Sequence, residues 1–96
     1  MLIQQNDDTK TGAFYIKEDE ELLAEMTYHW RNDQVFVIDH TEVSEKLAGK
    51  GVGKQLVNAA VEFARTKGYK IIPVCPFAKK VFERTADYAE VLYHPA

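Results

Sequence analysis

The stretch HTEVSEKLAGKGVGKQLVNAAVEFA, residues 40–64, decides the fold because it carries the end of a strand through a glycine-rich corner into an amphipathic helix. Gly49, Gly51 and Gly53 occupy alternate positions in the corner. Glycine loses more conformational freedom on folding than any other residue, so this spacing indicates a place where side chains are excluded. Beyond the corner, apolar residues recur at the spacing of one helical face, which predicts a helix over residues 51–67.

The elements on either side of this helix have the composition of strands. VFVIDHTEV (35–43) precedes the corner and KIIPVC (70–75) follows the helix. Strand, helix and strand in this order predict a βαβ unit, whose two strands run parallel. A second, shorter helix is predicted in PFAKKVFERT (76–85), with Pro76 in its first turn, and a final strand in ADYAEVLYH (86–94).

The N-terminal part consists of candidate strands joined by short turns. LIQQN, AFYIK and LLAEMTYHW are apolar or alternating runs, separated by the polar stretches DDTKTG and EDEE. The alternation in the third run predicts a buried face made of Leu22, Ala24, Met26, Tyr28 and Trp30. The whole pattern predicts a single domain, residues 1–96, of mixed α/β (α+β) class: a mixed sheet with an antiparallel N-terminal meander and one βαβ unit.

Composition and charge narrow the classes of function. The formal net charge is -3 and the longest basic run is the pair Lys79 and Lys80, so neither nucleic acid nor a membrane surface is an expected partner. No apolar run approaches the roughly 20 residues that a membrane helix needs. Cys75 is the only cysteine, and no histidines and carboxylates share a metal-ligand spacing. We therefore expect a cytoplasmic protein without a disulfide or a metal.

A glycine corner between a strand and a helix is typical of an anion site, because free backbone N–H groups and the helix dipole favour negative charge there. Lys46, Lys50 and Lys54 lie around the corner and would pair with further phosphate oxygens. The sequence does not match either of two common nucleotide-binding motifs. Gln55 stands where a Walker loop has the hydroxyl that holds magnesium, and the third glycine comes one position too early for a dinucleotide fingerprint.

Two motifs in this half of the chain resemble those of a known family. AGKGVG, residues 48–53, is similar to the [QR]-x-x-G-x-[GA] loop of the GNAT superfamily of N-acetyltransferases, apart from Ala48 in the first position. CPFAKKVFER has the register of the family pattern N-x-x-A-x-x-x-Y-E-[KR]. The resemblance covers residues 35–84 and implies the acetyltransferase (GNAT-like) fold. It also implies acetyl-coenzyme A (coenzyme A) as the cofactor and a primary amine, in a small molecule or a protein, as the acceptor.

The resemblance further implies which residues bind the cofactor. In this family the strand that corresponds to the one ending in HTEV splays from its parallel neighbour, and its free backbone groups bind the pantetheine arm as an added strand would. The glycine corner binds the pyrophosphate. The implied cofactor-binding residues are Thr41, Glu42, Val43, Gly49, Lys50, Gly51, Val52, Gly53 and Lys54.

Cys75 and His40 are the candidate catalytic residues. Phe82 replaces the tyrosine that protonates the leaving thiolate in many family members, and Cys75 replaces their usual asparagine. As a thiolate, favoured by a helix N-terminus and nearby lysines, Cys75 would be a nucleophile; as a thiol it would be the missing acid. As a small apolar residue it would only pack. His40 would be the general base or a structural histidine, and Glu42 is an alternative base.

Two functions from different classes fit these features. One is an N-acetyltransferase whose site, without the two N-terminal lid helices common in the family, would admit a polyamine, a protein N-terminus or a lysine. The other is a coenzyme A-binding module with little or no transferase activity, which the absence of the tyrosine favours.

Overall fold

The computed structural model describes residues 2–95. Five strands form one sheet in the order β1-β2-β3-β4-β5: β1 is Gln4–Asp7, β2 Thr11–Glu18, β3 Glu21–Trp30, β4 Val35–Val43 and β5 Lys70–Pro73. Neighbouring strands are antiparallel except for the parallel pair β4 and β5. Helix α1 (Val52–Lys67) joins that pair, α2 (Pro76–Arg84) follows β5, and short 3-10 helices cover Glu45–Leu47 and Ala86–Val91. The predicted mixed α+β class, with its meander and βαβ unit, is confirmed.

Helix α1 packs on one face of the sheet and buries its apolar stripe there. Leu56, Val57, Ala60, Val61 and Ala64 are buried in one core with the strand residues beneath them. Helix α2 packs against α1, and its buried residues belong to the same core. No helix in the described part of the chain is long and apolar enough to cross a membrane.

The other face of β3 and β4 carries polar side chains. Cross-strand partners share a face of a sheet, so Thr27 lies beside His40 and Glu25 lies beside Glu42. All four are exposed or only half-buried, in contrast to their neighbours in the core. This open face therefore presents histidine and carboxylate groups to solvent.

Two sequence predictions were wrong in detail. Leu22 is 48% exposed and does not share the buried face, because Leu23 is an extra residue between the pairs Ile16–Ala24 and Lys17–Leu22. Such a bulge reverses the alternation at one end of the strand. The tail 86–94 is mainly a 3-10 helix rather than a strand, and only Leu92 forms a bridge to β5. Tyr88 and Val91 are three residues apart, so they share one side of a 3-10 helix; Val91 is buried in the core and Tyr88 packs against it.

The edge strand β1 is held by the buried Tyr28. Its hydroxyl donates to Asp7 Oδ2 (2.6 Å) and accepts from Gln5 Nε2 (2.9 Å). Gly12 makes room for the ring, since a Cβ at that position would lie 2.4 Å from the phenol oxygen. Burial first, and then the bond to Asp7, raise the pKa of Tyr28 above its ordinary value.

We expect Tyr28→Phe to lower the free energy of unfolding by about 1–2 kcal/mol, because the buried tyrosine loses its hydrogen bonds to Asp7 and Gln5. Since the pKa of Tyr28 is higher in the folded than in the unfolded protein, the hydroxyl's contribution is present below pH 10 and falls as the pH rises further. Denaturant titrations near pH 7 and above pH 10 measure both effects. Tyr15→Phe on the opposite face is the control, and an equal loss in both variants would contradict the assignment.

Candidate functional site

The parallel strands β4 and β5 separate at the edge of the sheet that β5 forms. Their pairing runs from Val35–Lys70 to Ile38–Pro73 and ends there. Asp39 causes part of the separation, because it is an extra residue without a partner on β3, and such a bulge bends its strand. The chain also turns away after Pro73, because α2 begins at Pro76. The two strands therefore form a fork.

The closed end of the fork is fixed by one carbonyl. Ile38 O accepts the backbone N–H groups of Val74 (3.1 Å) and Cys75 (3.0 Å). Beyond it, within the described residues, the backbone of 39–43 forms no hydrogen bond to β5 or α2. The β5 side of this segment is thus an open strand edge, which is the arrangement that the motif resemblance implied.

The glycine corner depends on left-handed backbone conformations. Gly49 (φ 77°) and Gly51 (φ 70°) lie in the region that side chains disfavour, and a Cβ at either would have no atom within 4 Å. Gly53 has a different role. It lies inside α1, and a Cβ there would come within 2.6 Å of the Phe77 ring. The missing side chain at Gly53 thus leaves room for Phe77, and cofactor binding by Gly53 stays a prediction.

The N-terminus of α1 has the properties of an anion site. The first helical backbone bond at this end runs from Gln55 N to Gly51 O, so the N–H groups of Val52, Gly53 and Lys54 have no acceptor within the helix. Gly51 offers no side-chain cap, and the first turn has no acidic residue. Because the helix is 16 residues long, its dipole adds to the positive potential at this end.

A cavity of about 400 Å³ connects this helix end to the fork. It is lined by Thr41, Val43, Leu47, Ala48, Gly49, Gly51, Val52, Gly53, Lys54 and Phe77. Of the predicted cofactor-binding residues, only Glu42 and Lys50 are missing from its wall. Glu42 points to the open face, and Lys50 is exposed in the corner. Sequence reasoning missed Leu47 and Phe77, because their place in the cavity depends on contacts between separate elements.

Cys75 lies at the closed end of the fork. Its side chain is 4% exposed, and its thiol donates to Thr41 Oγ1 at 3.4 Å. It was predicted as the last residue of β5, but β5 ends at Pro73 and Cys75 is the N-cap of α2. The turn that follows Pro73 brings the thiol next to Thr41, which lines the cavity.

His40 lies on the opposite face of β4 from Thr41. Its Nε2 is 3.0 Å from Glu42 Oε1, and both side chains are mostly exposed. His29 forms a second such pair with the bulged Asp39, at 2.8 Å. Sequence analysis missed this pair because only the pairing of β3 with β4 makes the two side chains neighbours. Among residues 2–95, no three histidine, cysteine or carboxylate side chains are grouped as metal ligands.

One family profile matches most of the chain. The family profile described as GCN5-related N-acetyl-transferase matches residues 13–91. The chain belongs to the GCN5-related N-acetyltransferase family. Membership of the family confirms the predicted resemblance and identifies the protein as an N-acetyltransferase.

Solved structures of other acetyltransferases support this assignment. The solution structure of a GCN5-like protein from Staphylococcus aureus is 42% identical, with a TM-score of 0.77, over 99% of this chain and 90% of that one. Ribosomal-protein-alanine N-acetyltransferase from Brucella melitensis is 19% identical, with a TM-score of 0.64, over 81% of this chain and 64% of that one. The comparison with curated proteins found no match.

A third structure contains a coenzyme A compound. It is AAC(6')-Iy in complex with the bisubstrate analogue CoA-S-monomethyl-acetylneamine, 17% identical, with a TM-score of 0.55, over 81% of this chain and 61% of that one. At this identity the likeness shows the fold alone. The fold is thus shared by a protein named for a ribosomal-protein alanine and by one bound to an acetylneamine compound.

Proposed function

We propose that the protein binds acetyl-coenzyme A in the cavity and transfers the acetyl group to a primary amine. The observation that carries this proposal is the continuity of the cavity from the N-terminus of α1 to the open edge of β4. The residues fit the cofactor chemically. Free N–H groups of Val52, Gly53 and Lys54 suit a pyrophosphate, and the open strand edge at 41–43 suits the amide groups of the pantetheine arm. When bound, acetyl-coenzyme A supplies an acetyl group activated as a thioester.

His40 and Glu42 have the arrangement of a general base and its orienting carboxylate. A charged amine must lose a proton before it can attack, and His40 can accept that proton at a ring nitrogen. Glu42, at 3.0 Å from Nε2, would fix the ring orientation and stabilise the imidazolium that forms. On the other side of β4, the Cys75 thiol can donate a proton or act as a nucleophile.

The open face of the sheet supports an amine as the acceptor. Glu25 and Glu42 are cross-strand neighbours on this face, and like charges in that position favour a cation nearby. Among the fold relatives, one is named for a ribosomal-protein alanine and another is bound to an acetylneamine compound. Both a protein amine and a small-molecule amine are therefore within the proposed class.

Free thiol release tests the proposed function. The protein is mixed with acetyl-coenzyme A and either a polyamine, a lysine peptide or a peptide with a free N-terminus, and coenzyme A release is followed over time. Acceptor-dependent release is the expected result. Calorimetric binding of coenzyme A without release for any acceptor would instead favour a coenzyme A-binding module, and absence of binding would overturn both.

Lys50→Ala should weaken acetyl-coenzyme A binding modestly, by about threefold at low salt, because an exposed ion pair contributes little. The difference should shrink as salt is raised towards about 0.5 M, where screening is strong. Calorimetry at two salt concentrations measures this. Lys46→Ala is the control, since Lys46 is already paired with Glu21 at 2.7 Å and should change less. A salt-independent loss at Lys50 would contradict a phosphate contact.

His40→Gln should lower kcat by about a hundredfold and leave the Kd for acetyl-coenzyme A unchanged, because it removes the base and not a cofactor contact. Glu42→Gln should have a smaller effect, of about tenfold. His29→Gln is a matched control, since His29 also pairs with a carboxylate on the open face. Equal losses for the His29 and His40 variants would show that the effect is structural.

A further inference from the structure

Phe77 is an exposed aromatic residue at the wall of the cofactor cavity. It lies in the first turn of α2 and is 40% exposed, unlike the other aromatic residue of this helix, Phe82, which is 8% exposed. Its ring rests on the first turn of α1, against the Cα of Gly53. The ring therefore spans the gap between the N-terminal ends of the two helices.

The Phe77 ring, and not the backbone conformation, explains why residue 53 is a glycine. Its φ is not in the left-handed region, in contrast to Gly49 and Gly51. Glycine is a poorer helix former than alanine, so its presence in the first turn of α1 needs a reason. The atoms nearest to a Cβ at residue 53 all belong to Phe77: Cζ at 2.6 Å, Cε2 at 2.8 Å and Cε1 at 3.5 Å. Removing the side chain at 53 thus lets the ring lie back against α1.

We propose that Gly53 and Phe77 act as one unit that shapes the cofactor cavity. The ring forms an apolar wall for the aliphatic part of the pantetheine arm, and Gly53 allows it to lie far enough back to leave the cavity open. This inference rests on the proposed function, since it assigns a role within the same binding site. Phe77 would contact the cofactor, and the absent side chain of Gly53 would position Phe77.

The composition of the cavity supports an aliphatic ligand beside the ring. Val43 and Leu47 line the same cavity, which extends from the glycine corner to Thr41. Between its phosphates and its thiol, coenzyme A carries a dimethyl-substituted carbon and several methylene groups. Such groups would cover the exposed part of Phe77, and burying apolar surface favours binding.

An alanine at position 53 should push the ring towards the cavity. The atoms that would collide lie at the far end of a flexible side chain, so the ring can rotate with little cost to folding. The cavity is the open space next to it. Gly53→Ala should therefore remain folded but raise the Kd of acetyl-coenzyme A by about tenfold. Phe77→Ala should raise it by about fivefold, since it removes the apolar wall.

A double-mutant cycle tests whether the two residues act together. Calorimetry measures the Kd of acetyl-coenzyme A for the wild type, Gly53→Ala, Phe77→Ala and the double variant, with thermal unfolding to show that each is folded. In the Phe77→Ala background, Gly53→Ala should change the Kd by less than about twofold, because no ring is left to displace. Val74→Ala is the control: it truncates a side chain that is 59% exposed just before α2 and does not line the cavity.

The outcomes separate this inference from the proposed function. The same tenfold loss from Gly53→Ala in both backgrounds would overturn the inference and show that the ligand itself needs the space at residue 53. Wild-type affinity in Phe77→Ala, or in Gly53→Ala alone, would also overturn it. Failure of the wild type to bind acetyl-coenzyme A would instead overturn the proposed function.

Discussion

Gly51→Val is expected to raise the Kd for acetyl-coenzyme A by at least about a hundredfold. Gly51 has φ 70° and ψ 21°, a conformation that a β-branched residue avoids, so the corner must rearrange. The rearrangement turns the free N–H groups of Val52 and Gly53 away from the anion. Loss of two hydrogen bonds to a charged group, at about 1.5 kcal/mol each, corresponds to this change in Kd. Calorimetric titration with acetyl-coenzyme A measures it.

Gly68→Val is the matched control for this variant. Gly68 is the C-cap of the same helix, has φ 78° and ψ 25°, and a Cβ there would also have no atom within 4 Å. Both variants should therefore lose a similar amount of stability, about 1–2 kcal/mol, from the same backbone strain. Only the Gly51 variant should lose binding. Equal losses of affinity would mean that the corner is not the site of the pyrophosphate.

Cys75→Ala is expected to lower kcat by about a hundredfold while the Kd for acetyl-coenzyme A stays within about twofold. The thiol lies at the closed end of the fork and is hydrogen-bonded to Thr41. It is not part of the corner that would bind the phosphates. Its loss should therefore affect chemistry and not binding. Steady-state kinetics and calorimetry on the same preparation measure both. Unchanged turnover would leave Cys75 with a packing role only.

Thr41→Val separates the thiol from its hydrogen bond. This variant removes the acceptor of the thiol but keeps the thiol itself, and it should lower kcat by only about threefold. If Cys75 acted solely through its contact with Thr41, the two variants would be equally impaired. A large difference between them supports direct participation of the sulfur.

Mass spectrometry of quenched reactions distinguishes the two chemical roles of Cys75. As a nucleophile, its sulfur forms a bond to the acetyl carbon while the bond from that carbon to the coenzyme A sulfur breaks, and the thiol proton goes to the leaving group. An adduct of about 42 Da on Cys75 would then appear and decay at the catalytic rate. Loss of turnover in Cys75→Ala without an adduct in the wild type would indicate a proton donor. An adduct that accumulates without turning over would be adventitious acylation.

Much of the proposed cofactor site follows from local sequence. The positive φ angles at Gly49 and Gly51 and the uncapped start of α1 depend on residues within a few positions of each other. The amphipathic period of α1 and the apolar runs of β4 and β5 are equally local, and so the βαβ unit could be predicted from them. Backbone preferences and side-chain periodicity act over such short distances and do not require a partner element.

The tertiary structure decided what the site contains beyond the corner. The bulge at Asp39 depends on how β4 pairs with β3, and it determines that His40 lies on the open face and Thr41 on the cavity side. The contact of Phe77 with Gly53 joins two separate helices, and it explains why residue 53 has no side chain. Leu22 and the C-terminal 3-10 helix were mispredicted for the same cause. Registers, bulges and contacts between elements are selected by packing across the whole core, because a shift of one residue exchanges the buried and exposed faces of a strand.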